Sequence, residues 1–128
     1  KESLCNEILL YMKKIEDKKK EIHKEVTSLK IIVKILKTHY YDFNKEYGMK
    51  TMIENNTPIP SYIYPQNSSK TDKSLITRKS LWDNVEFFKN EIKNKNKEYS
   101  DLEKIYRAQN AKYSHAFQLT QEKFEKGE

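Results

Sequence analysis

The sequence predicts an all-α fold, a long antiparallel coiled-coil helical hairpin that forms part of a dimer or larger helical bundle. Three observations predict it. Two long segments, 1–54 and 80–128, repeat apolar residues at alternating four- and three-residue spacing. The chain of 128 residues holds only two Gly and three Pro, too little punctuation for a compact β or α/β fold. All three prolines fall in one stretch, 55–79, between the repeating segments. The length allows one domain, so the segments read as two arms and a connector of a single hairpin.

The first arm, 1–54, carries Ile8, Ile15, Ile22, Leu29, Leu36 and Phe43 at seven-residue intervals, with Met12, Lys19, Val26, Val33, Tyr40 and Tyr47 four positions after each. These are the d and a positions of a heptad, and eleven of the twelve are apolar or aromatic. A repeat of 3.5 residues keeps its seam against a partner only by left-handed supercoiling. The helix is expected to start near Ser3 as N-cap and to fail between Gly48 and Asn55-Asn56. About fifty helical residues span roughly 75 Å, which calls for another long helix as partner. Lys19 is the one charged residue of this seam. A buried a-position lysine is a cost, so Lys19→Leu is expected to stabilise the fold by about 1 kcal/mol, with Lys20→Leu as the neutral control.

The connector, 55–79, interleaves Pro58, Pro60 and Pro65 with Ile59, Tyr62, Ile63 and Tyr64, so part of it is expected to pack against the helices or a partner. Proline excludes helix here and implies loop or polyproline II. Because loop-closure entropy changes slowly with length, shortening 56–69 is expected to leave the helices in place.

The second arm, 80–128, opens on Ser80 as cap with Asp83 three residues in. Leu81, Val85, Phe88, Ile92, Lys95, Tyr99, Leu102, Tyr106, Gln109, Tyr113, Ala116 and Thr120 follow the same spacing, and only Lys95 and Gln109 are charged or amide. Phe117 and Phe124 are expected to take over from Ala116 and Thr120, through a four-residue stutter or the fraying of the seam.

Composition narrows the function. Hydrophobic residues make up 36% and charged residues 34%, and nine Tyr, five Phe and one Trp separate the chain from disordered sequences. The net charge of +6 lies in residues 1–79 and suits an acidic protein, an anionic lipid or nucleic acid. The lone Cys5 allows no internal disulfide, which points to a reducing compartment, cytoplasm or nucleus. No apolar run is long enough to span a membrane. The chain opens on Lys1 rather than Met, so it reads as a segment of something longer.

No catalytic residue, cofactor or metal is expected, and the protein is read as not an enzyme. The only glycines are Gly48 and Gly127, and no glycine-rich phosphate loop is present. His23, His39 and His115 each stand alone, and Glu21, His23 and Glu25 point to different sides of their helix. The sequons at Asn55 and Asn67 lie in the connector and read as chance matches.

Two surfaces remain. Ile31, Ile32 and Ile35 lie outside the seam and, with Leu29, Val33 and Leu36, make one turn apolar nearly all round, an interaction surface for another helix. Lys13, Lys20 and Lys34 at b positions with Lys30 and Lys37 at e positions form a stripe suited to anions. No aromatics are interleaved with it, so sequence-specific nucleic-acid recognition is not expected. The reading is a non-catalytic structural module that mediates oligomerisation or scaffolding through other helical subunits or a second copy of itself.

The alternative is a basic helical module for anionic membrane surfaces. Leu81 to Leu102 resembles the helix that follows the first loop in F-BAR domains. That likeness covers about twenty residues without a family motif, and it implies a dimeric, membrane-binding bundle.

Overall fold

A computed structural model of the chain describes residues 2–125, with side chains over 4–119. Its helices are α1 (Glu2–Asp42), α2 (Met49–Glu54) and α3 (Arg78–Glu125), and two single 3-10 turns occupy Ser61–Ile63 and Lys73–Leu75. Among the described residues there is no strand. The fold is an all-α helical hairpin in which α1 and α3 pack against each other. Ser3 lies inside α1, and its side chain falls outside the described set.

The first arm is not one helix to residue 54. It stops at Asp42, and the chain turns through 43–48 on Lys45 N–H to Asp42 O (2.9 Å) and Gly48 N–H to Lys45 O (2.9 Å). A Cβ on Gly48 would sit 1.4 Å from the Asp42 carbonyl oxygen, so the turn closes only because that atom is missing. Tyr47, expected in the seam, is 90% exposed, and Met49 is fully buried instead. Helix α2 ends in a Schellman motif: Thr57 N–H reaches Met52 O (3.0 Å) and Asn56 N–H reaches Ile53 O (3.2 Å). Asn56 takes the left-handed conformation this motif requires, φ 55°, and Pro58 then prevents continuation.

Helix α3 begins three residues earlier than expected. Thr77 is the cap, because its Oγ1 accepts from Ser80 N–H (3.0 Å) while Ser80 Oγ accepts from Thr77 N–H (2.7 Å). This is a capping box with a serine hydroxyl in place of the usual carboxylate, which places Ser80 three residues into the helix.

Among the described residues, contacts divide the chain into two compact units, one drawn from Lys1–Glu25 and Lys95–Glu128, the other from Val26–Asn94. In the first unit the seam is the core. Ile8, Met12, Ile15 and Ile22 are buried, and Lys95, Tyr99, Leu102, Tyr106, Gln109, Tyr113 and Ala116 are half-buried from the other helix. Phe117 is exposed while Ala116 is half-buried, so no stutter moves the seam at that step. The side chains of Thr120 and Phe124 lie outside the described residues.

The second unit is built differently. Val33 and Leu36 from α1, Met49 from α2, Ile63, Tyr64 and Ile76 from the connector, and Leu81 and Val85 from α3 form one buried cluster. The connector is therefore part of the core. Asn84, 3% exposed, fastens it: the side-chain amide lies within donating distance of the carbonyls of Tyr62 (3.1 Å), Ile63 (3.0 Å) and Tyr64 (2.7 Å). Proline removes donors from this stretch, and one buried amide supplies the hydrogen bonds its carbonyls need.

Candidate interaction surfaces

In the first unit the seam meets its α1 lysine, Lys19, with specific partners. The Lys19 side chain is 14% exposed, pairs with Glu103 at 3.3 Å, and holds its ammonium 5.2 Å from the centres of both the Tyr99 and Tyr106 rings. Two aromatic faces and a carboxylate replace the water that a buried ammonium would otherwise need. Lys95, the other charged seam residue, pairs with Glu25. Lys18 reaches Glu98 at 4.0 Å. Carboxylates of the facing helix thus lie beside Lys18 and Lys19. Glu16, Lys19, Lys20, His23, Lys24 and Tyr99 line an open groove beside these contacts. Among the described residues no three His, Cys, Asp or Glu side chains converge as a metal site would require.

The apolar turn expected as an interaction surface is divided by the fold. Val33 and Leu36 are interior, Ile32 packs against the buried cluster of the second unit, and Leu29 and Ile35 are half-buried. Only Ile31 stays largely in solvent, at 56%. The connector supplies much of the cover that a two-helix contact lacks. These six residues do not form one open docking face.

The basic stripe falls in both units. Lys13 and Lys20 are exposed in the first; Lys30 and Lys34 are exposed and Lys37 half-buried in the second. None of the five has a carboxylate partner among the described residues. In the second unit Arg78 lies 4.4 Å from the centre of the Tyr40 ring, and Tyr40 packs on Trp82 at 5.0 Å. Next to Tyr40 in α1, burial holds the His39 imidazole below its ordinary range, against the opposing pull of Asp42.

One surface was not anticipated from heptad spacing. In the first unit Leu4, Leu9, Leu10 and Tyr11 are all exposed on α1, Leu10 at 62%, and Ile105, Phe117 and Leu119 are exposed on α3. The signal was present as the unbroken apolar run Ile8-Leu9-Leu10-Tyr11-Met12, of which the seam uses only Ile8 and Met12. Counting seam positions alone leaves the three residues between them unread.

No protein-family model matches the chain, and no curated protein or solved structure matches it. The likeness of Leu81 to Leu102 to F-BAR domains gains no support from these comparisons. No described helix is long and apolar enough to cross a membrane.

Proposed function

We propose that the chain is a non-catalytic coiled-coil interaction module that mediates oligomerisation or scaffolding within a larger protein assembly. The observation that carries this reading is the exposed apolar group on α1, Leu9, Leu10 and Tyr11, beside a seam that is already filled. A helix that is apolar on nearly all sides is one that other helices surround. The lone free Cys5 fits a reducing compartment such as the cytoplasm. Sedimentation equilibrium of the chain, alone and with candidate helical partners, tests the proposal. Leu10→Ser is expected to weaken association by about tenfold without loss of helicity. Association that is indifferent to Leu10 and Leu9 counts against the reading.

The five lysines without carboxylate partners favour a second reading, a basic module on anionic membrane surfaces. Pelleting with phosphatidylserine vesicles, lost on reversing Lys13 and Lys20 to Glu, would support that reading over the first.

A further inference from the structure

The groove of the first unit, lined by Glu16, Lys19, Lys20, His23, Lys24 and Tyr99, has a volume of about 440 Å³. That is within the range of small-molecule sites, about 300–1,000 Å³. Its five α1 residues recur at helical spacing and share one flank of the helix, and Tyr99 is the wall that α3 contributes. The charges along it are not equivalent. Lys19 is already taken up by Glu103 and two tyrosine rings. Lys20 and Lys24, one turn apart, are exposed and have no carboxylate partner among the described residues. Glu16 stands one turn before Lys20 and two before Lys24, and it too closes no ion pair among the described residues.

From this we infer that the groove binds a small phosphomonoester that carries a ring, with the phosphate between Lys20 and Lys24, the ring against Tyr99, and a donor group of the ligand on the Glu16 carboxylate. A phosphomonoester bears a charge of about −1.5 to −2 near neutral pH, which matches two ammonium groups, whereas a carboxylate brings a single charge. Lysine meets phosphate as a point charge, so two lysines one turn apart can converge on one group. Glu16 gives the ligand a direction: it repels the phosphate from its own end of the groove and accepts a hydrogen bond from a hydroxyl or amino group there. Tyr99, half-buried, offers the apolar face on which a ring packs. Leu9, Leu10 and Tyr11 do not line this groove, so the inference stands apart from the interaction-module reading. The same chemistry occurs on free nucleotides and on phosphorylated inositol lipids, and the probes below separate the two sources.

The test uses the whole chain. Equilibrium dialysis measures adenosine monophosphate, adenosine and inorganic phosphate, and pelleting measures phosphatidylcholine vesicles that contain a phosphatidylinositol monophosphate. Saturable binding of adenosine monophosphate or of these vesicles is expected, and the nucleotide, if it is the source, should bind at least about tenfold tighter than adenosine or inorganic phosphate. Binding of one source and not the other names the ligand's origin. The double change Lys20→Gln with Lys24→Gln is expected to weaken binding about tenfold or more. Lys13→Gln with Lys14→Gln removes the same charge outside the groove and should leave binding unchanged. Far-UV helicity should be the same in both variants, since all four lysines are exposed. Tyr99→Leu should abolish the nucleotide's advantage over inorganic phosphate. Failure of both the nucleotide and the vesicles overturns the inference. So does an equal loss from the two lysine pairs, which would reduce the effect to net charge, or nucleotide binding no tighter than that of inorganic phosphate with no binding of the vesicles.

Discussion

Lys19 shows how neighbours that spacing does not reveal can offset the energetics expected of a heptad position. Its side chain is half-buried where the spacing puts it, but Glu103 and the rings of Tyr99 and Tyr106 are arranged around its ammonium. A cation over an aromatic face is worth about 0.5–1 kcal/mol, and a partly exposed ion pair about as much or less. The gain expected from Lys19→Leu is therefore offset, and that substitution should leave stability within about 1 kcal/mol of the parent. Lys19→Ala removes the stem as well and should cost about 1–2 kcal/mol, against about 0.5 or less for Lys20→Ala at an exposed position. Urea unfolding of the two alanine variants decides it, and equal shifts would refute this account of the site. His39 gives a second residue-scale expectation. Its folded-state pKa is lowered from 6.5 by burial, so the unfolded chain takes up the proton first as pH falls. The stability it contributes is present above 6.5 and lost as pH falls from there through the lower folded value. His39→Gln should flatten that limb of the stability curve, as read by urea midpoints on either side of pH 6.5.

At the scale of elements, the connector is where sequence and structure part most. Treated as a chain of prolines and polar residues, it looks dispensable; in the fold Ile63 is fully buried and Tyr64 nearly so. Ile63→Ala should cost about 2–5 kcal/mol, the range for emptying a core site, and excising 61–64 should unfold the second unit rather than leave its helices intact. Circular dichroism and urea titration measure both, and a variant as stable as the parent would contradict the packing. The two long seams were legible because a period of 3.5 residues is a property of spacing alone, and every described seam position of α3 is buried or half-buried. The end of α1 was not legible, because Phe43 and Tyr47 keep the period while the break depends on a Cβ that Gly48 lacks. Nor was Asn84, whose role exists only once three connector carbonyls are brought to it. Of the candidate surfaces, the basic stripe was readable as exposed charge. The apolar turn at 29–36 was readable as unusual, but the connector that covers much of it is distant in sequence.

The molecule as a whole combines two kinds of interior. Among the described residues the largest fully buried side chains, Leu36, Met49, Ile63, Leu81 and Val85, belong to the second unit, whereas the first relies on a stripe between two helices. Local opening follows the density of buried contacts, so backbone amides near Leu36 should exchange more slowly than those near Met12. Hydrogen exchange followed by mass spectrometry checks this, and the reverse order would show that the first unit is held by more than its seam. If partner helices cover Leu9, Leu10 and Tyr11, their addition should slow exchange near Met12 first.

The amide of Asn84 also bears on how copies of the chain can combine. Hairpins with slack hinges can open and trade an arm with a neighbour, giving intertwined dimers that form and separate slowly. Here the hinge is interior: straightening it would strip three carbonyls of their donor and bring Ile63 and Tyr64 into water. Arm exchange is thereby disfavoured. If copies of the chain associate as proposed, they are expected to do so as closed hairpins meeting surface to surface, and mixing two tagged populations should then yield mixed complexes at the rate of ordinary dissociation, without passing through unfolding.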